Sequence, residues 1–297
     1  MAERKNFWYH AMAFAVGIVW GVTFVSSKVL INAGMQPAEI MVLRFVLAYL
    51  CLLPFSVGRK GDRQLFAKSL KDELLLVLLG VTGGSLYFLL ENSALVYTQA
   101  SNVSILIATT PLWTMLASAL FLRDGRVTLR TALFSLLSLV GVVIVVLNGQ
   151  MVLHLHPLGD LLTLGAALVW VLYSLILKYF DGKYSVAMIT RKVFFYGILT
   201  MLPYFIFEPW GTTWSMLAQP AVIGNLLFLG VVASFLGYLG WNIAQSRLGP
   251  VSMNLYLYLN PVATALVAVP VLGEQFTWVS VFGTVFILGG MYFAMKE

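Results

Sequence analysis

Asn260-Pro261-Val262-Ala263-Thr264-Ala265-Leu266-Val267-Ala268-Val269-Pro270-Val271-Leu272-Gly273-Glu274 is an apolar helix pattern interrupted by two prolines and closed by Gly-Glu. In the interior of a soluble helix a proline costs about 3 kcal/mol, because it removes a backbone donor and clashes with the carbonyl one turn back. The surroundings must make such a break tolerable. Counting back 150 residues lands on Thr110-Pro111-Leu112-Trp113-Thr114 and, thirteen residues beyond that proline, on Asp124-Gly125. The stretch occurs twice.

The chain has 297 residues, 60% of them hydrophobic and 10% charged, where a soluble domain carries about 25% charged residues. Apolar runs long enough to cross a hydrocarbon core of about 30 Å recur from end to end. Transmembrane strands would alternate polar and apolar residues, and these runs do not. The expectation is an all-α polytopic membrane protein of ten transmembrane helices at 8–31, 37–57, 74–97, 101–122, 129–148, 158–180, 184–206, 221–246, 250–272 and 277–295. The basic residues flank these spans, so the net charge of +6 points to lipid headgroups and topology, not to nucleic acid. Lys and Arg fall in the loops on the N-terminal side, and loops 32–36, 98–100, 149–157, 207–220 and 273–276 hold none. By the positive-inside bias both termini lie in the cytoplasm, and the short loops favour a bacterial inner (plasma) membrane. Cys51 is the single cysteine, which excludes an intramolecular disulfide. His154 and His156 lack a third metal ligand, and no cofactor is implied.

The 150-residue offset returns Trp20 as Trp170, Lys28 as Lys178, Asn92 as Asn242 and Pro111 as Pro261. Internal duplication divides the chain into 1–150 and 151–297. Five spans per half is an odd number, so the second half enters the membrane from the opposite face. Inverted five-helix repeats are the recurrent plan of secondary transporters, with the substrate held where the halves meet.

Trp20-Gly21 with Lys28, Arg44 in the second span, Pro111 in the fourth and the Pro261 to Gly273-Glu274 stretch resemble the drug/metabolite transporter superfamily, EamA-type. The resemblance covers nearly the whole chain and implies an exporter of small metabolites or amino acids working by alternating access. It departs from the pattern at Arg123-Asp124-Gly125, where the family ends the fourth span with Gly-Glu.

Several residues are candidates to line a substrate path. In the third span Gly80, Gly84, Tyr87 and Glu91 fall on one helix face by α-helical spacing; the glycines read as close packing, whereas Tyr87, Glu91 and Asn92 read as cavity lining. The offset adds Trp241 and Asn242. An ionisable group within a span costs about 2.5 to 3.5 kcal/mol and faces a cavity or a partner. Glu91 therefore either binds a cation or a coupled proton or pairs with Arg44 or Lys28. Arg44 and Arg191 sit seven residues into the second and seventh spans, as an anion clamp or, preferably, as buried structural charges. Lys28 and Lys178 are expected to snorkel. Asn254, Tyr258 and Asn260 approach Pro261, and Trp20, Trp170 and Tyr173 make the expected cavity aromatic, suited to an amphipathic metabolite or amino acid. Pro111 and Pro261 are the expected bends, with Asp124 and Glu274 as helix-end or gating residues. Multidrug and nucleotide-sugar carriers remain alternatives within the class. A membrane-embedded lipid enzyme lacks H-E-x-x-H or G-x-S-x-G, and a channel would not saturate.

Overall fold

The computed structural model describes residues 2–57, 65–122, 128–147, 156–272 and 278–295. Among them every regular element is a helix. In chain order these are α1 (Ala2–Asn32), α2 (Pro37–Val57), α3 (Leu70–Gly80), a π-helical turn (Val81–Ser85), α4 (Leu86–Tyr97), α5 (Ala100–Ile107), α6 (Thr110–Ala117), a second π-helical turn (Ser118–Leu122) and α7 (Leu129–Leu147). Then follow α8 (Pro157–Tyr179), α9 (Val186–Met201), a 3-10 turn (Leu202–Ile206), α10 (Trp214–Leu217), α11 (Pro220–Leu227) and a π-helical stretch (Phe228–Leu236). The chain continues through α12 (Gly237–Asn254), a 3-10 turn (Leu255–Tyr258), α13 (Leu259–Leu272) and α14 (Trp278–Met295).

Seven continuous helical stretches are long and apolar enough to cross a membrane. One of them, Pro220–Val271, has 52 residues, which as a straight helix would measure about 78 Å, over twice the hydrocarbon thickness. It is broken at Gly249, whose φ of 81° no β-carbon-bearing residue adopts easily, and Pro250 starts the chain afresh. Leu129–Ile144 and Val281–Met295 are shorter apolar helices.

Local chemistry sets the ends of these helices. Pro37, Pro157 and Pro220 each open a helix, where the missing N–H leaves no bond unmade. The side chains of Ser69 and Ser185 accept from the N–H groups of Asp72 and Met188 at 3.1 Å each. Lys28 does not snorkel: its ammonium donates to the Leu95 carbonyl at 2.5 Å and the Thr98 carbonyl at 3.3 Å. It closes the C-terminal end of α4, where carbonyls lack helical partners and the helix dipole favours a cation. Lys178 pairs with Asp181 at 2.8 Å on the surface.

Two carboxylates, Glu39 buried and Glu73 partly so, tie the starts of α2 and α3 to distant chain. Glu39 accepts from the N–H groups of Gly211 and Thr212 and from the Thr212 hydroxyl, and Glu73 accepts from Lys192, the Tyr196 hydroxyl and the Ala67 N–H.

Lipid gives helices no hydrophobic drive to associate, so close backbone approach matters more than burial. Gly17 and Gly21 of α1 lie on the chain around Tyr256 and Asn260, and Gly80 lies on Tyr196 of α9. Between α7 and α14 a Cβ on Gly141 would stand 2.6 Å from the Gly283 carbonyl oxygen and 2.7 Å from the Ile287 nitrogen. Those are backbone atoms and cannot give way. Gly141→Leu is therefore expected to lower stability by about 1–3 kcal/mol through overpacking. Gly289→Leu, which meets no atom within 4 Å, should be neutral. Thermal unfolding of the two variants in detergent compares them directly.

Candidate functional site

The middle of α1 supplies Trp20, Thr23 and Phe24 to a narrow cavity with about 20 Å³ of free space. Arg44 enters from α2, and Tyr87, Phe88 and Glu91 from α4. Trp170 of α8 and Tyr238 of α12 form the opposite wall, and Ile107, Leu257 and Asn260 come from the chain next to the two proline sites. The walls are ring faces. Trp20 stacks on Trp241 with centroids 4.5 Å apart and meets Trp170 edge-on at 5.2 Å, while Tyr87 lies 5.1 Å from Trp170.

The Tyr87 hydroxyl bonds the Glu91 carboxylate, whereas the polar ends of Trp20, Trp170 and Tyr238 are taken up by the surrounding protein. Trp20 Nε1 donates to the Ala233 carbonyl at 2.9 Å, Trp170 Nε1 to Asn254 Oδ1 at 3.1 Å, and the Tyr238 hydroxyl to the Gly83 carbonyl at 2.5 Å. The Thr23 hydroxyl bonds back to the Trp20 carbonyl.

Three cavity-lining groups hold a buried atom with no partner: Arg44 Nη1, Glu91 Oε1 and Asn260 Oδ1. Arg44 is fixed by a bond from Nε to Ser234 Oγ at 2.8 Å, and its guanidinium carbon lies 4.2 Å above the Phe88 ring. Arg44 is near enough to attract the Glu91 carboxylate. The two make no ion pair, however: those among the described residues are Lys178–Asp181 and Lys192–Glu73. The cavity thus holds an unpaired cationic donor, an unpaired acidic acceptor and an amide oxygen between aromatic faces. A buried polar atom without a partner costs about 1–3 kcal/mol, and more when charged.

Of the expected path residues, Trp20, Tyr87, Glu91, Trp170 and Asn260 meet at this cavity. The others form a bonded shell around it. Tyr173 donates to Asn242 Oδ1 at 2.7 Å, and Asn242 donates to Thr190 at 2.9 Å. Asn254 donates to Ser174, Tyr258 to the Ser135 carbonyl and Asn92 to the Pro37 carbonyl, while Trp241 donates to Gln245. Asn242 also borders a second cavity of about 330 Å³ between the 180–185 turn and residues 242–247 of α12. Arg191 reaches Ser56 at 3.4 Å, twelve residues along α2 from Arg44, about 18 Å of helix. The two arginines do not form one clamp.

Pro111 sits in the first turn of α6 just past a break at Ala108-Thr109, and the Ile107 carbonyl next to it takes the Thr110 hydroxyl. Pro261 occupies the first turn of α13 after the 3-10 turn. Asp124, Glu274 and His154 lie outside the described residues. His156 accepts from the Gly159 N–H at the start of α8, and no group of metal-ligating side chains stands together among the described residues. The α-helical spacing that put Glu91 on the Gly80 face is interrupted by the π turn: Gly80 and Gly84 meet α9, and Glu91 turns to the cavity. Tyr238 and Thr23 carried no sequence signal that set them apart, although Tyr238 stands at the offset from Phe88.

Apolar helices packed around a partly charged cavity make this a multi-pass membrane protein. The chain belongs to the EamA-like transporter family, whose model matches residues 7–147 and again 157–296. An uncharacterized transporter of Archaeoglobus fulgidus is 26% identical over 95% of this chain and 96% of its own. A protein of Streptantibioticus cattleyicolor named "Probable terminal-alkyne amino-acid exporter" is 27% identical over 86% of this chain and 83% of its own. A solved crystal structure, 17% identical, shares the fold with a TM-score of 0.78 over 96% of both chains. The protein is a transporter and not an enzyme.

Removing a poorly paired buried charge is often neutral or stabilising. Arg44→Met is therefore expected to leave the thermal unfolding temperature unchanged or raised, as measured by unfolding in detergent. A fall of several degrees would make Arg44 a structural charge.

Proposed function

We propose that the protein is a secondary transporter that exports small zwitterionic metabolites, foremost amino acids with apolar side chains, by alternating access. The observation that carries this reading is the pairing of unsatisfied atoms in the cavity. Arg44 Nη1 suits a carboxylate; Glu91 Oε1, assisted by Asn260 Oδ1, suits an ammonium group. The ring faces of Trp20, Trp170, Tyr87 and Tyr238 suit an apolar side chain. A zwitterion satisfies both charges at once, which neither a plain amine nor a plain acid does. The printed name of the Streptantibioticus cattleyicolor relative supports the same substrate class.

In this reading the chain spans a bacterial inner membrane ten times as two inverted repeats, 1–150 and 151–297, with both termini in the cytoplasm. Counting the 52-residue stretch as two at Gly249 and adding the two shorter apolar helices supports the ten. The double match of one family model and the π-helical turns at 81–85 and 228–236, which overlap at the 150-residue offset, support the repeat. The basic loops support the orientation. Glu91, held without an ion pair, exchanges its bound ammonium group for a proton, which makes the carrier a proton antiporter.

A thermal-shift panel tests the substrate class. Free amino acids with apolar side chains should stabilise the protein, and their methyl esters and decarboxylated amines should bind about ten- to a hundredfold more weakly, the worth of one charge-assisted hydrogen bond. Equal stabilisation by amine and amino acid would remove Arg44 from the site. Protonation of Glu91 competes with the ammonium group, so binding should weaken as the pH falls through its titration. Glu91→Gln should flatten that profile; an unchanged profile would end the proton-exchange reading.

A further inference from the structure

The two π-helical stretches decide which side chains face the cavity. In the first, the Leu86 N–H reaches the Val81 carbonyl, and in the second the Gly237 N–H reaches the Val232 carbonyl, each five residues back. Such a turn holds one residue more than an α-turn. Its conversion to α would rotate the helix beyond it by about 100° and shift it by about 1.5 Å. Beyond the first stretch lie Tyr87, Phe88 and Glu91, and beyond the second lies Tyr238. Gly80 and Gly84 pack on α9 while Glu91 lines the cavity, a division that an unbroken α-helix would not permit. The π register is what presents Glu91.

Each stretch accepts a hydrogen bond from one aromatic donor. The Tyr238 hydroxyl is bonded to the Gly83 carbonyl at 2.5 Å, inside the first stretch, and Trp20 Nε1 to the Ala233 carbonyl at 2.9 Å, inside the second. The Tyr173 ring lies directly on the backbone of the first stretch, and Trp20 on that just past the second. A Cβ on Gly83 would stand 2.3 Å from the Tyr173 ring, and one on Gly237 would stand 2.8 Å from Trp20 Nε1.

Resting on the reading of this cavity as the transport site, we propose that Tyr238 and Trp20 are positioning residues clamping two rotation joints of the transport cycle, the π-helical stretches 81–85 and 228–236. The joints are linked in one direction. Tyr238 stands just beyond the second stretch and clamps the first, so turning α12 at the second joint withdraws the hydroxyl from Gly83 and frees the first. Arg44, through its bond to Ser234 in the second stretch, connects occupancy of the cavity to that motion. Release of the first joint swings Glu91 out of the cavity and gives up the substrate.

Amide hydrogen exchange on the full chain in lipid nanodiscs tests the joints. Tyr238→Phe removes one hydrogen bond and should speed exchange in 82–88 about three- to tenfold while leaving 229–237 unchanged. Trp20→Phe should speed exchange in both stretches, because the second joint carries the clamp of the first. Transport by Tyr238→Phe should change in turnover, with KM held within about twofold, since the hydroxyl points at the backbone and not at the ligand. Unchanged exchange in 82–88, or faster exchange with unaltered turnover, would overturn the proposal. Should a variant not assemble, the wild-type chain decides: under conditions where opening limits exchange, the two stretches must open at one common rate, and independent rates would overturn it. A wild-type chain that carries no amino acid would remove the substrate reading while leaving the exchange result standing. Intact amino-acid transport with no change in exchange would remove the joints alone.

Discussion

Inside a membrane every backbone and side-chain polar group must find its partner within the protein, and that constraint orders this structure. The indole N–H groups of Trp20, Trp170 and Trp241 and the hydroxyls of Tyr173, Tyr238 and Tyr258 all reach protein acceptors. Apart from the Trp241–Gln245 bond within α12, these bonds cross between helices far apart in the chain and substitute for the hydrophobic drive that lipid does not supply. Where the constraint is met so widely, the few violations carry information. Three of them, on Arg44, Glu91 and Asn260, open onto one cavity.

The same constraint explains why prolines and π turns are tolerated. A proline in the first turn of α6 or α13 loses no bond that the helix needs, and the carbonyl it would have stranded at Ile107 takes the Thr110 hydroxyl. A π turn loosens the backbone ladder and lets a carbonyl accept from a side chain, as Gly83 and Ala233 do. Irregular backbone at membrane depth survives because it is buried in protein and faces a cavity. The chain next to the two proline sites supplies Ile107, Leu257 and Asn260 to the walls of the cavity.

Helix class and the presence of a cavity were legible in the sequence because both follow from composition and from costly residues: a 10% charged fraction, a glutamate within a span, paired prolines. Which polar residue faces the cavity was less legible. Asn254 and Tyr258 looked like path residues from their density near Pro261, but their polar atoms are bonded to Ser174 and Ser135, and no pattern in sequence separates a satisfied amide from an open one. Glu91 was legible as cavity lining by its cost; its departure from the face of Gly80 and Gly84 was not, because a five-residue π turn shifts the helical phase and α-helical spacing cannot see it. Arg44 read as structural. The single bond to Ser234 and the open Nη1 became visible only with the helices assembled.

Under the proposed function the cavity recognises both ends of a zwitterion and carries it across the bilayer. Counterflow in proteoliposomes tests that claim most directly: vesicles loaded with an unlabelled apolar amino acid should take up the labelled one transiently above equilibrium, and Arg44→Met should abolish the overshoot. Labelled amino acid that only equilibrates, at a rate proportional to its concentration and indifferent to Arg44, would contradict the account.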